Sequence, residues 1–385
     1  MSEHVVSAEY TDRQDGHATG GLLVMVAGII WYALLADRLF ATGHLDQMLE
    51  RAWLVSEDPA AAAGQWLAAM LLGLARLVPK AGPQTLVLQT VLAGGATLGA
   101  VYWRLRRVHW PLWQALAATA LLGLHPATLM LATTGQTLLL AILLVGVVAL
   151  ALDRASTIGD AQSLMALGLA LAALVLTAPD ALYIALPIMA LLPFCLRDVR
   201  DSGSAVALFL LTLFPACIAV GGILLAAATF GEAPSYALSR WVAPMHGVIE
   251  AANTPWLVQH GGHVLGPFLA LLPLCALAMP PMLLPLLSLA VRPEERLRPA
   301  TALLALLGGP LAGAGATLFW HSSGPLAAIA TAMAAVLAWT SSRRLEDSER
   351  LLWLLWLAIG VGLCWATPWV WDDPDRLAWR HALLP

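Results

Sequence analysis

The sequence predicts an all-α, polytopic membrane protein with about eleven transmembrane helices and further helices lying on its outer face. Three observations carry this. Of 385 residues, 60% are hydrophobic and only 11% are charged, whereas soluble globular chains carry about 25% charged residues. The apolar runs suit helices that cross a bilayer and are far too long for barrel strands, and the mean hydropathy is +0.78. Lysine and arginine collect in alternate connections between the runs, as the positive-inside rule requires.

The first twenty residues, MSEHVVSAEYTDRQDGHATG, are polar and mixed in charge, and are expected to be disordered. They lack a basic n-region and a small-residue cleavage site, so the first apolar run reads as an uncleaved anchor. Windows of about 20 apolar residues place crossings near 21–40, 84–104, 111–126, 134–152, 162–178, 180–196, 205–229, 264–291, 300–320, 324–341 and 350–370. Thr177-Ala178-Pro179-Asp180 is a turn signal between two short runs. Many of the 16 tryptophans lie near span ends, where an interfacial belt would sit. Gly94-Gly95, Gly308-Gly309-Pro310 and Pro280-Pro281 inside spans read as close helix packing and kinks.

Arg104, Arg106 and Arg107, then Arg154, Arg197 and Arg200, then Arg292, Arg296 and Arg298, then Arg343, Arg344 and Arg350 mark the cytoplasmic connections. The N-terminus is then cytoplasmic, and residues 36–80, 125–136, 178–180, 230–262, 321–324 and the C-terminal tail lie outside. On this reading the chain divides into the N-terminal segment (1–20), a transmembrane module (21–230) that includes the outer loop 36–80, a second outer loop (231–262), and further helices with a short outer tail (263–385).

Residues 36–80 form the longest polar interruption and have helical spacing without enough apolar length to cross, which fits helices lying on the membrane surface. Asp37, Asp46, Glu50, Glu57 and Asp58 fall here. A carboxylate at the mouth of a membrane cavity can serve as general base towards a hydroxyl or hold a cation, while the plain alternative is a solvated loop acid. Asp180 is either a functional carboxylate near membrane depth or the cap of the following helix. His260 and His263 in QHGGH have a metal-compatible separation, but no third ligand is fixed nearby, so no metal site is assigned. His125-Pro126 reads as a helix stop rather than a ligand.

Cys195, Cys217, Cys275 and Cys364 lie in apolar runs without ligand spacing and read as small core residues. A net charge of −4 with no basic stripe argues against nucleic acid as a partner. No phosphate-binding glycine loop, dinucleotide fingerprint or HExxH is present, which removes nucleotide-driven pumps and zinc proteases from consideration. Few ionisable residues fall in mid-span, which disfavours a proton-coupled transporter.

The order of elements resembles the GT-C superfamily of integral membrane glycosyltransferases, which use polyprenyl-phosphate sugars. DQMLERAWLVSEDP (Asp46 to Pro59) is similar to that family's outer-loop acid followed by an amphipathic helix. The runs His125 to Arg154, Leu169 to Arg197 and Thr254 to Cys275 are similar to its later hairpins. The resemblance covers residues 20–275 as a pattern.

It implies a transferase in a bacterial inner membrane that moves a sugar from a polyprenyl-phosphate carrier to an acceptor on the outer face. Asp46 would be the catalytic base, with Asp37, Glu50 and Asp180 as alternates or holders of a divalent cation. Arg51, Lys80 and Arg240 would pair with the carrier phosphate, and His260 and His263 would lie at the substrate. The alternative reading is a non-catalytic subunit of the same architecture that presents its outer loops to partner membrane proteins of an envelope-assembly complex.

Overall fold

A computed structural model describes residues 3–41, 84–133, 138–158, 160–177, 185, 210–229, 265–285, 306–311, 324–341 and 345–366. Among the described residues the structure is helical, with no strand. Three helical stretches among the described residues, His17–Leu39, Thr85–Arg107 and Asp347–Ala366, are long and apolar enough to cross a membrane. A fourth crossing forms if the bent pair Leu112–Leu124 and Pro126–Thr133 counts as one span. The protein is an integral membrane protein.

The chain gathers into two compact units. The first comprises Met1–Leu49, Gln84–Leu139 and Thr340–Pro385. It holds α1 (Glu3–Ala41), α2 (Gln84–Arg107), α3 (Leu112–Leu124), α4 (Pro126–Thr133) and, after the helices of the second unit, α10 (Asp347–Ala366). Gly20 lies against Tyr102, Gly28 against Leu98 and Gly95, and Tyr32 against Gly94, so α1 and α2 run antiparallel in direct contact. The close approach follows from composition, because a Cβ on Gly99 would stand 2.8 Å from the Gly21 carbonyl oxygen. Tyr32, Leu35, Ala36 and Leu39 of α1 are buried, whereas Leu22, Leu23, Val26, Ile30 and Leu34 face outward. A wide apolar outer face of this kind suits lipid, not water.

α2 ends in a Schellman motif. The Trp110 N–H bonds the Leu105 carbonyl and the His109 N–H bonds the Arg106 carbonyl, each at 3.1 Å. His109 occupies the left-handed position at φ 65, where glycine is usual because other residues pay about 1–2 kcal/mol there. Arg106 then donates from Nη1 to the Trp110 carbonyl at 2.7 Å, which fixes the turn into α3.

α10 runs parallel to α3. Trp353 meets Trp110 edge to face at one end, with ring centroids 5.5 Å apart, and Trp365 reaches the Leu124 carbonyl at the other. Its start is capped from within, since Glu349 Oε2 accepts the Glu346 N–H at 2.9 Å.

In the second unit (Glu50–Pro83 and Leu140–Trp339) the described helices are α5 (Leu138–Ile158), α6 (Ala161–Thr177), α7 (Phe214–Thr229), α8 (Leu265–Ala278) and α9 (Gly324–Ser341). α6 packs on the start of α7, where Gly168 lies against the Leu211 and Thr212 carbonyls and Pro215. Gly309 lies against Ala328 and Ala332 of α9, so Gly94-Gly95 and Gly309 act as the close-packing positions expected of them.

Asp160 caps α6, its Oδ1 accepting the Ser163 N–H at 2.9 Å. The Ser163 hydroxyl, that N–H and the charge of Arg154 hold its carboxyl below the usual carboxylate range. The cap therefore contributes fully above the ordinary carboxylate pKa of about 3.9 and is lost as pH falls through the lower folded value. Asp160→Ala is expected to accelerate amide exchange at Ser163, and Asp160→Asn to restore the protection.

Two expectations are corrected. The segment expected to be disordered before residue 21 is helical from Glu3, continuous with the first crossing. Extending a helix already nucleated by an apolar span costs only propagation, which its alanine and charged residues tolerate. Residues 125–136, expected as an outer connection, contain α4, all eight residues of which are buried. The kink expected at Pro280-Pro281 is present, as α8 stops at Ala278 and Pro280–Leu283 form a 3-10 turn. Proline has no N–H to continue the ladder.

Candidate functional site

Of the candidate catalytic and substrate-binding residues, Asp37 lies within the described structure, exposed in the last turns of α1 beside the exposed Arg38. Asp46, Glu50, Arg51, Lys80, Asp180, Arg240, His260 and His263 lie outside the described residues. Since α1 and α2 are antiparallel, the end of α1 and the start of α2 lie together, opposite the end that carries Arg104, Arg106 and Arg107. Asp37 marks that end.

About 7.5 Å below Asp37, at the five-residue rise separating it from Tyr32, lies a feature the sequence reading treated as a simple stop. The bent pair α3 and α4 turns by 64° at His125-Pro126. Such a break frees backbone groups that lipid cannot satisfy. Here other helices answer them one by one. The Tyr32 hydroxyl of α1 donates to the Gly123 carbonyl at 3.4 Å, and the Trp365 indole of α10 donates to the Leu124 carbonyl at 3.1 Å. The His125 carbonyl accepts the Leu129 N–H at 3.0 Å, and His125 Nδ1 accepts the Ala127 N–H at 3.2 Å. His125 is thus the N-cap of α4, with Pro126 in the first helical position where a missing N–H is harmless.

His125 is fully buried, and its Nε2 stands 3.8 Å from Sγ of the buried Cys364. The pairing has the outline of a cysteine–histidine dyad, but its proton is in the wrong place for one. Because Nδ1 accepts the Ala127 N–H, the neutral ring carries its proton on Nε2 and points it at the sulfur. Nε2 then has no lone pair with which to take the thiol proton or bind a metal, and moving the proton to Nδ1 would strip α4 of its cap. Among the described residues no group of three or more His, Cys, Asp or Glu side chains is placed to hold a metal ion. The joint is a structural element of the first unit, near the end of α1 that carries Asp37.

Of the cysteines read as core residues, Cys275 and Cys364 are buried and Cys217 is exposed. Sequence reasoning missed the burial of His125 and Tyr32. One signal was available, since PATLMLAT after His125 has no charged residue, an unusual composition for eight residues of aqueous connection. The pairing of α3 with α10, across 222 residues from Leu124 to Asp347, has no local signal. Comparison with family models, with characterised proteins and with solved structures finds no match.

Proposed function

We propose that this protein is a bacterial inner-membrane glycosyltransferase, with a cytoplasmic N-terminus, that moves a sugar from a polyprenyl-phosphate carrier to an acceptor on the outer face. The observation that supports this reading most is the α1–α2 hairpin. Its end away from the arginines is formed by the last turns of α1, with the exposed Asp37, and the start of α2, which flank the acid-bearing segment 42–83 in sequence. By the positive-inside rule that end is the outer one. The parallel run of α3 and α10 also fits their expected places as third and eleventh crossings.

In the proposed reaction, a carboxylate of the segment, Asp46 foremost, removes the proton of the acceptor hydroxyl as its oxygen attacks the anomeric carbon. The C–O bond to the carrier breaks from the opposite side, inverting the centre, and its electron pair leaves with the phosphate. Arg51, Lys80 or Arg240 balances that charge, arginine bidentately. No nucleotide is consumed, because the carrier phosphate is the leaving group.

The test is turnover of a polyprenyl-phosphate sugar by the full-length protein in proteoliposomes. Asp46→Asn is expected to slow transfer by a factor of about 10² to 10⁴, the usual contribution of a general base, while the carrier remains bound. Unchanged turnover in that variant would remove Asp46 as the base. Absence of turnover in the wild type, together with stable co-purification of other membrane subunits, would establish the non-catalytic alternative.

A further inference from the structure

The corner between α2 and α3 combines four features that the packing of the unit does not require. Arg104, Arg106 and Arg107 fall within the last turn of α2. Arg106 is committed to the Trp110 carbonyl, but Arg107 is exposed, its guanidinium held over the Trp103 ring at 5.2 Å from the centroid. Trp103 and Trp113, 36% and 57% exposed, flank the turn from the two helices. His109, also exposed, takes the left-handed position at φ 65 where glycine would be free of strain.

Indoles with this amphipathic exposure sit at headgroup depth, and Arg107, stacked on the Trp103 ring, is a cation fixed at that depth. Two of the nearby acids are engaged at the start of α10. Asp347 pairs with Arg350 at 2.9 Å, and Glu349 accepts the Glu346 N–H. Asp347 also lies six residues before Trp353, about 9 Å further along the axis than the tryptophan pair.

We infer that this corner seats the phosphate of an anionic phospholipid, with Arg107 and the His109 imidazole as donors to its oxygens and the Trp103 and Trp113 indoles against its glycerol and upper acyl chains. The occupant is a lipid rather than free phosphate, because the residues bordering the turn on both helices are exposed and apolar, Leu112 among them at 54% exposure. Basic groups at a membrane surface attract acidic lipids in this way. The inference concerns the end of the unit opposite the proposed transfer site and does not rest on the transferase reading.

The experiment is native mass spectrometry of the full-length protein in detergent, titrated with phosphatidylglycerol or with phosphatidylcholine of identical chains. The wild type is expected to hold phosphatidylglycerol preferentially. Arg107→Gln should weaken that binding about fivefold, corresponding to the roughly 1 kcal/mol per basic residue near an acidic surface. Arg154→Gln, an exposed arginine of the other unit, should leave it unchanged. His109→Gly should raise the melting temperature by relieving the left-handed strain and yet weaken phosphatidylglycerol binding. The inference is overturned if the wild type takes both lipids equally, if Arg154→Gln costs as much as Arg107→Gln, if inorganic phosphate displaces the lipid, or if His109→Gly is more stable with binding intact.

Discussion

Gly95→Ile is expected to separate α1 from α2 and destabilise the protein by about 1–3 kcal/mol or more, the range for forcing extra atoms into a packed interface. The reason is the identity of the neighbours. A Cβ on Gly95 would meet the Met25 carbonyl oxygen at 2.8 Å, the Ile29 backbone nitrogen at 2.9 Å and the Ile29 side chain. Two of the three are backbone atoms of a helix, which cannot rotate away. The whole of α1 must shift, and with it the Tyr32 hydroxyl that satisfies the Gly123 carbonyl at the break. Gly362→Ala serves as the control. Its Cβ meets nothing within 4 Å, and removing a helical glycine favours the fold by up to about 1 kcal/mol. Thermal unfolding in detergent, followed by tryptophan fluorescence, compares the two. Equal melting temperatures for Gly95→Ile and the wild type would mean that the hairpin is not packed through glycine.

Composition made the class legible, since a 60% hydrophobic chain with 11% charge has no soluble solution. Hydropathy likewise placed α2, α6 and the start of α10 close to where they fall, because a span is a local property of about 20 residues. Glycine pairs in spans pointed to close packing, and Gly95 and Gly99 supply it. What hydropathy cannot distinguish is an apolar segment in lipid from one packed in protein, and α4 was assigned to an aqueous connection for that reason. Proline read as a terminator at Pro126, yet a proline that follows an N-cap also opens a helix, and His125 is an uncommon residue in that role. The acids of 36–80 were chosen by chemistry alone. Of that set the structure locates Asp37, exposed near the end of α1, and the remaining members lie outside the described residues.

The role assigned to His125 leads to a prediction that separates its two ring nitrogens. His125→Leu preserves bulk and apolar contact but leaves the Ala127 N–H without its acceptor in a site that is fully buried. An unsatisfied buried donor costs about 1–3 kcal/mol, so a lower melting temperature is expected. His125→Asn removes the approach to Cys364 yet keeps a side-chain oxygen able to cap α4, asparagine being among the best N-cap residues. It should recover most of the loss. A second readout follows the joint itself. With Cys195, Cys217 and Cys275 replaced by alanine, Cys364, only 3% exposed, should react slowly with a maleimide both with His125 in place and in His125→Asn. In His125→Leu, where α4 is uncapped and the Leu124–Trp365 clasp beside it is loosened, it should react faster. If asparagine proves as damaging as leucine, the contact of Nε2 with sulfur outweighs the cap, and the bend would be held from α10 instead. In that case Cys364→Ala would reproduce the loss, whereas a cap-dominated joint leaves that variant close to wild type, since a thiol is a weak hydrogen-bond partner.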